Sequence, residues 1–157
     1  MSVNNWLNKK VKEYNQEKID LSILKDLILD LEISIPKKII SIVGTNGKGS
    51  TANLISKILK DNSHSVGLYT SPHLINYNER IDINGININD EVLKEYFSKI
   101  EKKINTRKLN FYQMLSLTAF KYFSDNKLDI WVLEAGLGGR LDPVSYTHLT
   151  LPTTAYV

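Results

Sequence analysis

The segment Gly44-Thr45-Asn46-Gly47-Lys48-Gly49-Ser50-Thr51 constrains this chain more than any other. It follows Ile39-Ile40-Ser41-Ile42-Val43, a β-branched run too brief for a helix and consistent with a buried strand. It precedes Leu54, Ile55, Ile58 and Leu59, which recur at helical spacing. Between a strand and a helix start, unpaired backbone N–H groups and the helix dipole favour a phosphate. The glycines let the backbone approach it closely, Lys48 can reach β- and γ-phosphate oxygens, and Ser50 or Thr51 can offer a hydroxyl. The spelling is not that of the common P-loop. Its first glycine lies three rather than five positions before the second, and Gly49 separates Lys48 from Ser50. A bare glycine turn is the competing reading, and a lysine followed by hydroxyls in this context disfavours it.

The rest of the pattern places this loop in a layered fold. Leu21, Leu24, Leu27, Ile28 and Leu31 share one helical face, with Asp20 or Ser22 able to cap its start, and Pro36 closes that region. Val66-Gly67-Leu68-Tyr69-Thr70 reads as a second strand, completing a βαβ unit with a right-handed crossover. Ile81 to Ile88 alternates apolar and polar residues around Asn84-Gly85, a hairpin signal expected to form a small excursion away from the sheet. Asp90 is expected to cap a helix that buries Val92, Leu93, Tyr96, Phe97 and Ile100. A further helix is expected from about Phe111 to Ser124. Ile130-Trp131-Val132-Leu133 reads as a third buried strand, expected to expose an unpaired edge or an uncovered apolar face. The fold class is α/β, a P-loop-type nucleotide-binding domain with a mostly parallel sheet.

Composition narrows the function classes. A length of 157 residues suits one domain. The absence of cysteine rules out disulfides, thiolate nucleophiles and Cys-held metals, and makes a cytoplasmic location the expectation. Apolar runs are too short to span a membrane, and the first residues lack the pattern of a secretion signal. The net charge is only +3 and the lysines are scattered, so neither nucleic acid nor membrane is expected as a partner. Lys, Asn and Ile supply 50 of the first 142 residues and none of residues 143–157. The tail is therefore expected to be foreign to the domain formed by residues 1–142, and His148 within it receives no role.

Four segments together resemble one enzyme family. Gly44 to Ser50 resembles the phosphate loop of the Mur ligase superfamily. Thr70-Ser71-Pro72-His73-Leu74, Tyr77-Asn78-Glu79-Arg80-Ile81 with Asn84-Gly85, and Leu133-Glu134-Ala135-Gly136-Leu137-Gly138-Gly139-Arg140-Leu141-Asp142 narrow the resemblance to folylpolyglutamate synthases, including the bifunctional dihydrofolate synthases. The resemblance runs over about residues 18 to 142. It implies an incomplete Mur-type central domain, the amino-terminal part of a longer two-domain ligase acting as a monomer with ATP and Mg²⁺. In such a ligase the γ-phosphoryl of ATP activates a folate or dihydropteroate carboxylate as an acyl phosphate, which the L-glutamate amine attacks.

The resemblance assigns roles residue by residue. Gly44, Thr45, Asn46, Gly47, Lys48, Gly49, Ser50 and Thr51 are the ATP-binding positions, with Lys48 and Glu134 the catalytic ones. Ser50, Ser71 and Glu134 are the magnesium positions, and an acid at the end of a buried strand in an α/β crevice suits that ion. Arg80, Phe111, Tyr112, Gln113, Arg140, Leu141 and Asp142 are the substrate positions. A guanidinium in a Gly- or Asn-rich loop also suits a carboxylate or phosphate on its own chemistry. His73 ranks below Ser71, and Gln113 stands where the family commonly has an acid. After Asp142 the family continues Ala-Thr-Asn where this chain has Pro143-Val144-Ser145, so the chain alone is expected to be inactive. The competing readings are a cell-wall Mur-type amino-acid ligase and a non-catalytic ATP-binding module.

Overall fold

A computed structural model describes residues 2–14, 22–104 and 107–136. Its order is α1 (Val3–Glu13), α2 (Ser22–Asp30), β1 (Lys38–Ile42), α3 (Lys48–Asp61), β2 (Val66–Tyr69), a 3₁₀ turn (Tyr77–Arg80), β3 (Ile81–Ile83), β4 (Ile86–Asn87), α4 (Asp90–Lys103), α5 (Phe111–Asp125) and β5 (Ile130–Glu134). The strands form one sheet in the order β1-β5-β2-β3-β4. β1, β5 and β2 run parallel, while β3 and β4 add antiparallel.

Among the described residues the last strand in sequence is thus the middle of the parallel part. β5 pairs with β1 from Lys38↔Ile130 to Ile42↔Glu134 and with β2 from Val66↔Ile130 to Tyr69↔Leu133, and all five of its residues are buried. This corrects the expectation of an unpaired edge or an uncovered apolar face on Ile130 to Leu133. Among the described residues the edges are β1 and β4. Alternation along β5 feeds two cores: Trp131 and Leu133 join the cluster under α4 and α5, whereas Val132 joins Ala52, Val66 and Leu68 beneath α3.

The Asn84-Gly85 turn forms as the spacing requires, with φ of +54° and +82°, but its hairpin does not leave the sheet. β3 pairs along β2, and the Asn84 side-chain oxygen accepts the Val66 N–H at 2.8 Å, so the hairpin is sewn to the start of β2. At α4 the cap is Asn89, whose oxygen accepts the Glu91 N–H, and Asp90 is the first helical residue, accepting instead from Asn78. α2 buries Leu24 and Leu27 with Leu31 just beyond it, as its periodicity requires; Asp20 and Leu21 lie outside the described residues.

Helix α1 has no counterpart in the sequence reading. Ser2 caps it through a hydrogen bond from the Asn5 N–H, and Val3 and Leu7, four residues apart, are its buried stripe. Trp6 meets Phe97 edge-on at 5.4 Å, while Lys10 and Tyr14 both reach Glu101 of α4, at 2.7 and 2.8 Å. No described helix is long and apolar enough to cross a membrane.

Candidate functional site

Three parallel strands in register end together, so the loops leaving them are neighbours. The loop after β1 is Gly44 to Gly47, the one after β2 begins at Thr70-Ser71, and Glu134 is the last residue of β5 between them. The glycines serve two separate needs in the first loop. Gly47 caps α3 in the left-handed region at φ +74°, where a side chain is strained, and no side chain caps this helix start. The first N–H groups of α3 are left to solvent or a ligand. Gly49 lies against Glu134: a Cβ there would sit 3.4 Å from Glu134 Oε2. Lys48 opens α3, its ammonium 3.4 Å from the Thr45 carbonyl, and Thr45, Asn46, Ser50 and Thr51 are exposed around it.

Glu134 is 4 % exposed, and its Oε2 accepts the Ser71 N–H at 3.0 Å. One carboxylate therefore touches both flanking loops. A hard cation with phosphate oxygens as its other ligands needs such an acid, with hydroxyls such as those of Ser50 and Ser71 within the same loops. Among the described residues no three His, Cys, Asp or Glu side chains converge. A cation here would depend on ligands beyond this carboxylate.

The Ser71 loop is shaped from within. Glu79 accepts the backbone N–H groups of Leu74 at 2.8 Å, Asn76 at 2.7 Å and Ile75 at 3.1 Å. Those bonds, with Leu74 first, hold its carboxyl below the ordinary value of 4.5. The loop presents Leu74 and Ile75 to solvent, at 93 % and 78 % exposure.

Beyond it lies a cluster of rings around a buried guanidinium. Arg80, 5 % exposed, donates from Nε to His73 Nδ1 at 2.8 Å and lies 5.8 Å from the ring centres of both Tyr77 and Tyr112. Its Nη1 has no hydrogen-bond partner among the described residues. Burial, and then the Arg80 charge, push the His73 imidazole below its ordinary value; accepting the Arg80 Nε–H at Nδ1 leaves the ring proton on Nε2. Phe111 is buried against Tyr77 and Phe97, while Tyr112 is exposed.

The structure brings Gly49 and the Ser71 N–H to Glu134 at adjoining strand ends, and gathers Arg80, Phe111 and Tyr112 at a second centre. Gln113 caps its own helix start. It is fully buried, and its Oε1 accepts the Asn110 N–H at 2.9 Å while Asn110 Oδ1 accepts the Gln113 N–H at 2.8 Å, a reciprocal capping box at the start of α5. Glu and Gln both serve in that position of a capping box. Arg140, Leu141, Asp142 and His148 lie outside the described residues. Sequence reasoning missed Asn4 and Asn8 of α1, which contact Asn76 and Tyr77. Only the Ser2 cap and the Val3–Leu7 spacing announced their helix.

No family model matches the chain. Among curated proteins it is 38 % identical over 143 residues to the dihydrofolate synthase/folylpolyglutamate synthase of Buchnera aphidicola subsp. Acyrthosiphon pisum, covering 90 % of this chain and 34 % of that one. It is 40 % identical over 128 residues to the protein of the same name from Haemophilus influenzae, covering 80 % and 29 %. A crystal structure of a bifunctional folylpolyglutamate synthase/dihydrofolate synthase with Mn, AMPPNP and L-glutamate bound superposes with a TM-score of 0.85 at 33 % identity, over 93 % of this chain and 36 % of that one. E. coli FolC in complex with DHPP and ADP gives 0.86 at 28 %, with the same coverage. The chain spans about a third or less of the length of the curated relatives it matches.

Proposed function

We propose that this chain, a homologue of part of the folylpolyglutamate synthase/dihydrofolate synthases in sequence and fold, carries the nucleotide-phosphate side and part of the substrate side of an ATP-dependent carboxylate–amine ligase. The observation that carries this reading is the meeting of the Gly49 backbone, the Ser71 N–H and the buried Glu134 carboxylate at three adjoining strand ends.

In this reading Gly44 to Thr51 binds the phosphates of ATP through the α3 N–H groups, and Lys48 neutralises charge on the transferring γ-phosphoryl. Glu134, with the hydroxyls of Ser50 and Ser71, would hold Mg²⁺, which supplies further charge neutralisation at the phosphates. Folate or dihydropteroate docks over Arg80, Phe111 and Tyr112, with Arg140, Leu141 and Asp142 completing that side, and Gln113 supports it by capping α5. The substrate carboxylate takes the γ-phosphoryl and becomes an acyl phosphate; the glutamate amine then displaces inorganic phosphate to form the amide. Positioning and electrostatics supply the catalysis, and no described residue is placed as a covalent nucleophile. The ligase is read as a cytoplasmic monomer.

Isothermal titration with ATP and Mg²⁺, and separately with 7,8-dihydropteroate, tests this. Binding of both is expected. A chain that takes ATP and ignores dihydropteroate is a nucleotide module or a ligase for another carboxylate, and one that ignores ATP is no such ligase.

A further inference from the structure

Helix α1 reaches the substrate-side cluster through two asparagines one turn apart. Asn4 Oδ1 accepts the Tyr77 backbone N–H at 3.2 Å, and Asn4 Nδ2 donates to Asn76 Oδ1. Asn8 Oδ1 accepts the Tyr77 hydroxyl at 3.0 Å. Side chains four apart on a helix stand one above the other, so a single helical face holds one tyrosine by its backbone and by its phenol. The Tyr77 ring lies 4.2 Å from His73 and 5.5 Å from Phe111, and Arg80 stands 5.8 Å from its centre. Its orientation sets what Arg80 and His73 rest on.

The attachment of α1 does not need these asparagines. Val3 and Leu7 are buried, Trp6 packs on Phe97, and Lys10 and Tyr14 both bond Glu101. Asn76 also belongs to the capping box with Glu79, the residue that gathers the N–H groups of Leu74, Ile75 and Asn76. One continuous set of hydrogen bonds therefore runs from α1 through Asn76 and Glu79 to the loop that begins at Ser71. The asparagines order the site, while the rest of α1 holds the helix to the fold.

We propose that Asn4 and Asn8 are positioning residues for the aromatic carboxylate substrate, acting by fixing Tyr77 beneath the Arg80–His73–Tyr112 surface. This rests on the ligase reading, which assigns that surface to the substrate. The test uses the full chain titrated with 7,8-dihydropteroate and, separately, with ATP and Mg²⁺. Asn8→Ala is expected to weaken dihydropteroate binding about fivefold, the worth of one neutral hydrogen bond, with ATP binding unchanged. Asn8→Asp keeps the acceptor and should restore binding. Tyr77→Phe deletes the same bond from its other end, so it should match Asn8→Ala and add nothing when combined with it. Amide exchange at Tyr77 should speed up in Asn4→Ala, which frees that N–H.

Undiminished dihydropteroate binding in both Asn8→Ala and Tyr77→Phe overturns the inference and leaves the ligase reading intact. A parallel fall in ATP affinity overturns it too, because general loosening then explains the loss. If the parent chain ignores dihydropteroate, the ligase reading fails and this inference falls with it.

Discussion

On one side of Glu134 the chain presents backbone, and on the other it presents side chains. The segment Gly44 to Thr51, proposed as the phosphate loop, is eight consecutive residues that offer glycine geometry, a helix start with no side-chain cap and one lysine. The Arg80 cluster draws on α1, the loop from Ser71, the 3₁₀ turn and the start of α5, held by rings and long-range hydrogen bonds. The first side suits a ligand recognised by charge and defined in shape, and the second suits a flat aromatic body ending in a carboxylate. A local motif keeps its geometry wherever a strand and helix frame it. An assembled cluster depends on every segment that reaches it.

Substitutions on each side should separate the two. Lys48→Ala should have the largest effect, slowing ATP-dependent phosphoryl transfer by about 10²–10³-fold in an active ligase while leaving the melting temperature unchanged, because it removes one charge from an exposed loop. Near-normal turnover would end the assignment of that side. Glu134→Gln keeps volume and an acceptor for the Ser71 N–H but is a poor ligand for a hard cation. Magnesium titration of ATP binding should show about a tenfold or greater loss of metal affinity, and an unchanged metal dependence would leave Glu134 as a structural clasp.

Smaller effects belong to the assembled side. Asn110→Ala removes half of the α5 capping box and should cost about 1 kcal/mol in denaturant unfolding. The Glu79 carboxyl is held below its ordinary value by three backbone N–H groups, so its contribution is present above that value and is lost as pH falls through the depressed one. Protection of the Leu74, Ile75 and Asn76 amides, corrected for intrinsic exchange at each pH, should therefore fall on acidification below 4.5, the ordinary value. Glu79→Gln, which cannot titrate and keeps one acceptor oxygen, should show no such fall; a parent-like pH response in that variant would remove Glu79 from this role.

How much was legible follows the same division. The positions of Gly44 to Thr51 and Glu134 at strand ends were readable from the β-branched runs before them, Ser71 was placed by the resemblance, and the parallel order brings the three strand ends together. The hairpin at Asn84-Gly85 was readable as a turn, but whether its strands leave or extend the sheet depends on partners distant in sequence. The edge expected on Ile130 to Leu133 failed for that reason: nothing local says that β5 inserts between β1 and β2. Gln113 was read as a substrate position from the resemblance alone, and its reciprocal cap with Asn110, spelled Asn-x-x-Gln in the sequence, was not read. Asn4 and Asn8 carried no signal, since asparagine on a helix is ordinary until its partner is known.

The separateness of the two sides is the central claim, and crossed titration tests it most directly. Lys48→Ala and Tyr112→Ala would each be titrated with ATP plus Mg²⁺ and with 7,8-dihydropteroate. The account predicts that Lys48→Ala loses ATP binding and keeps dihydropteroate binding, while Tyr112→Ala does the reverse. Loss of both ligands in either variant, or of neither, would contradict it.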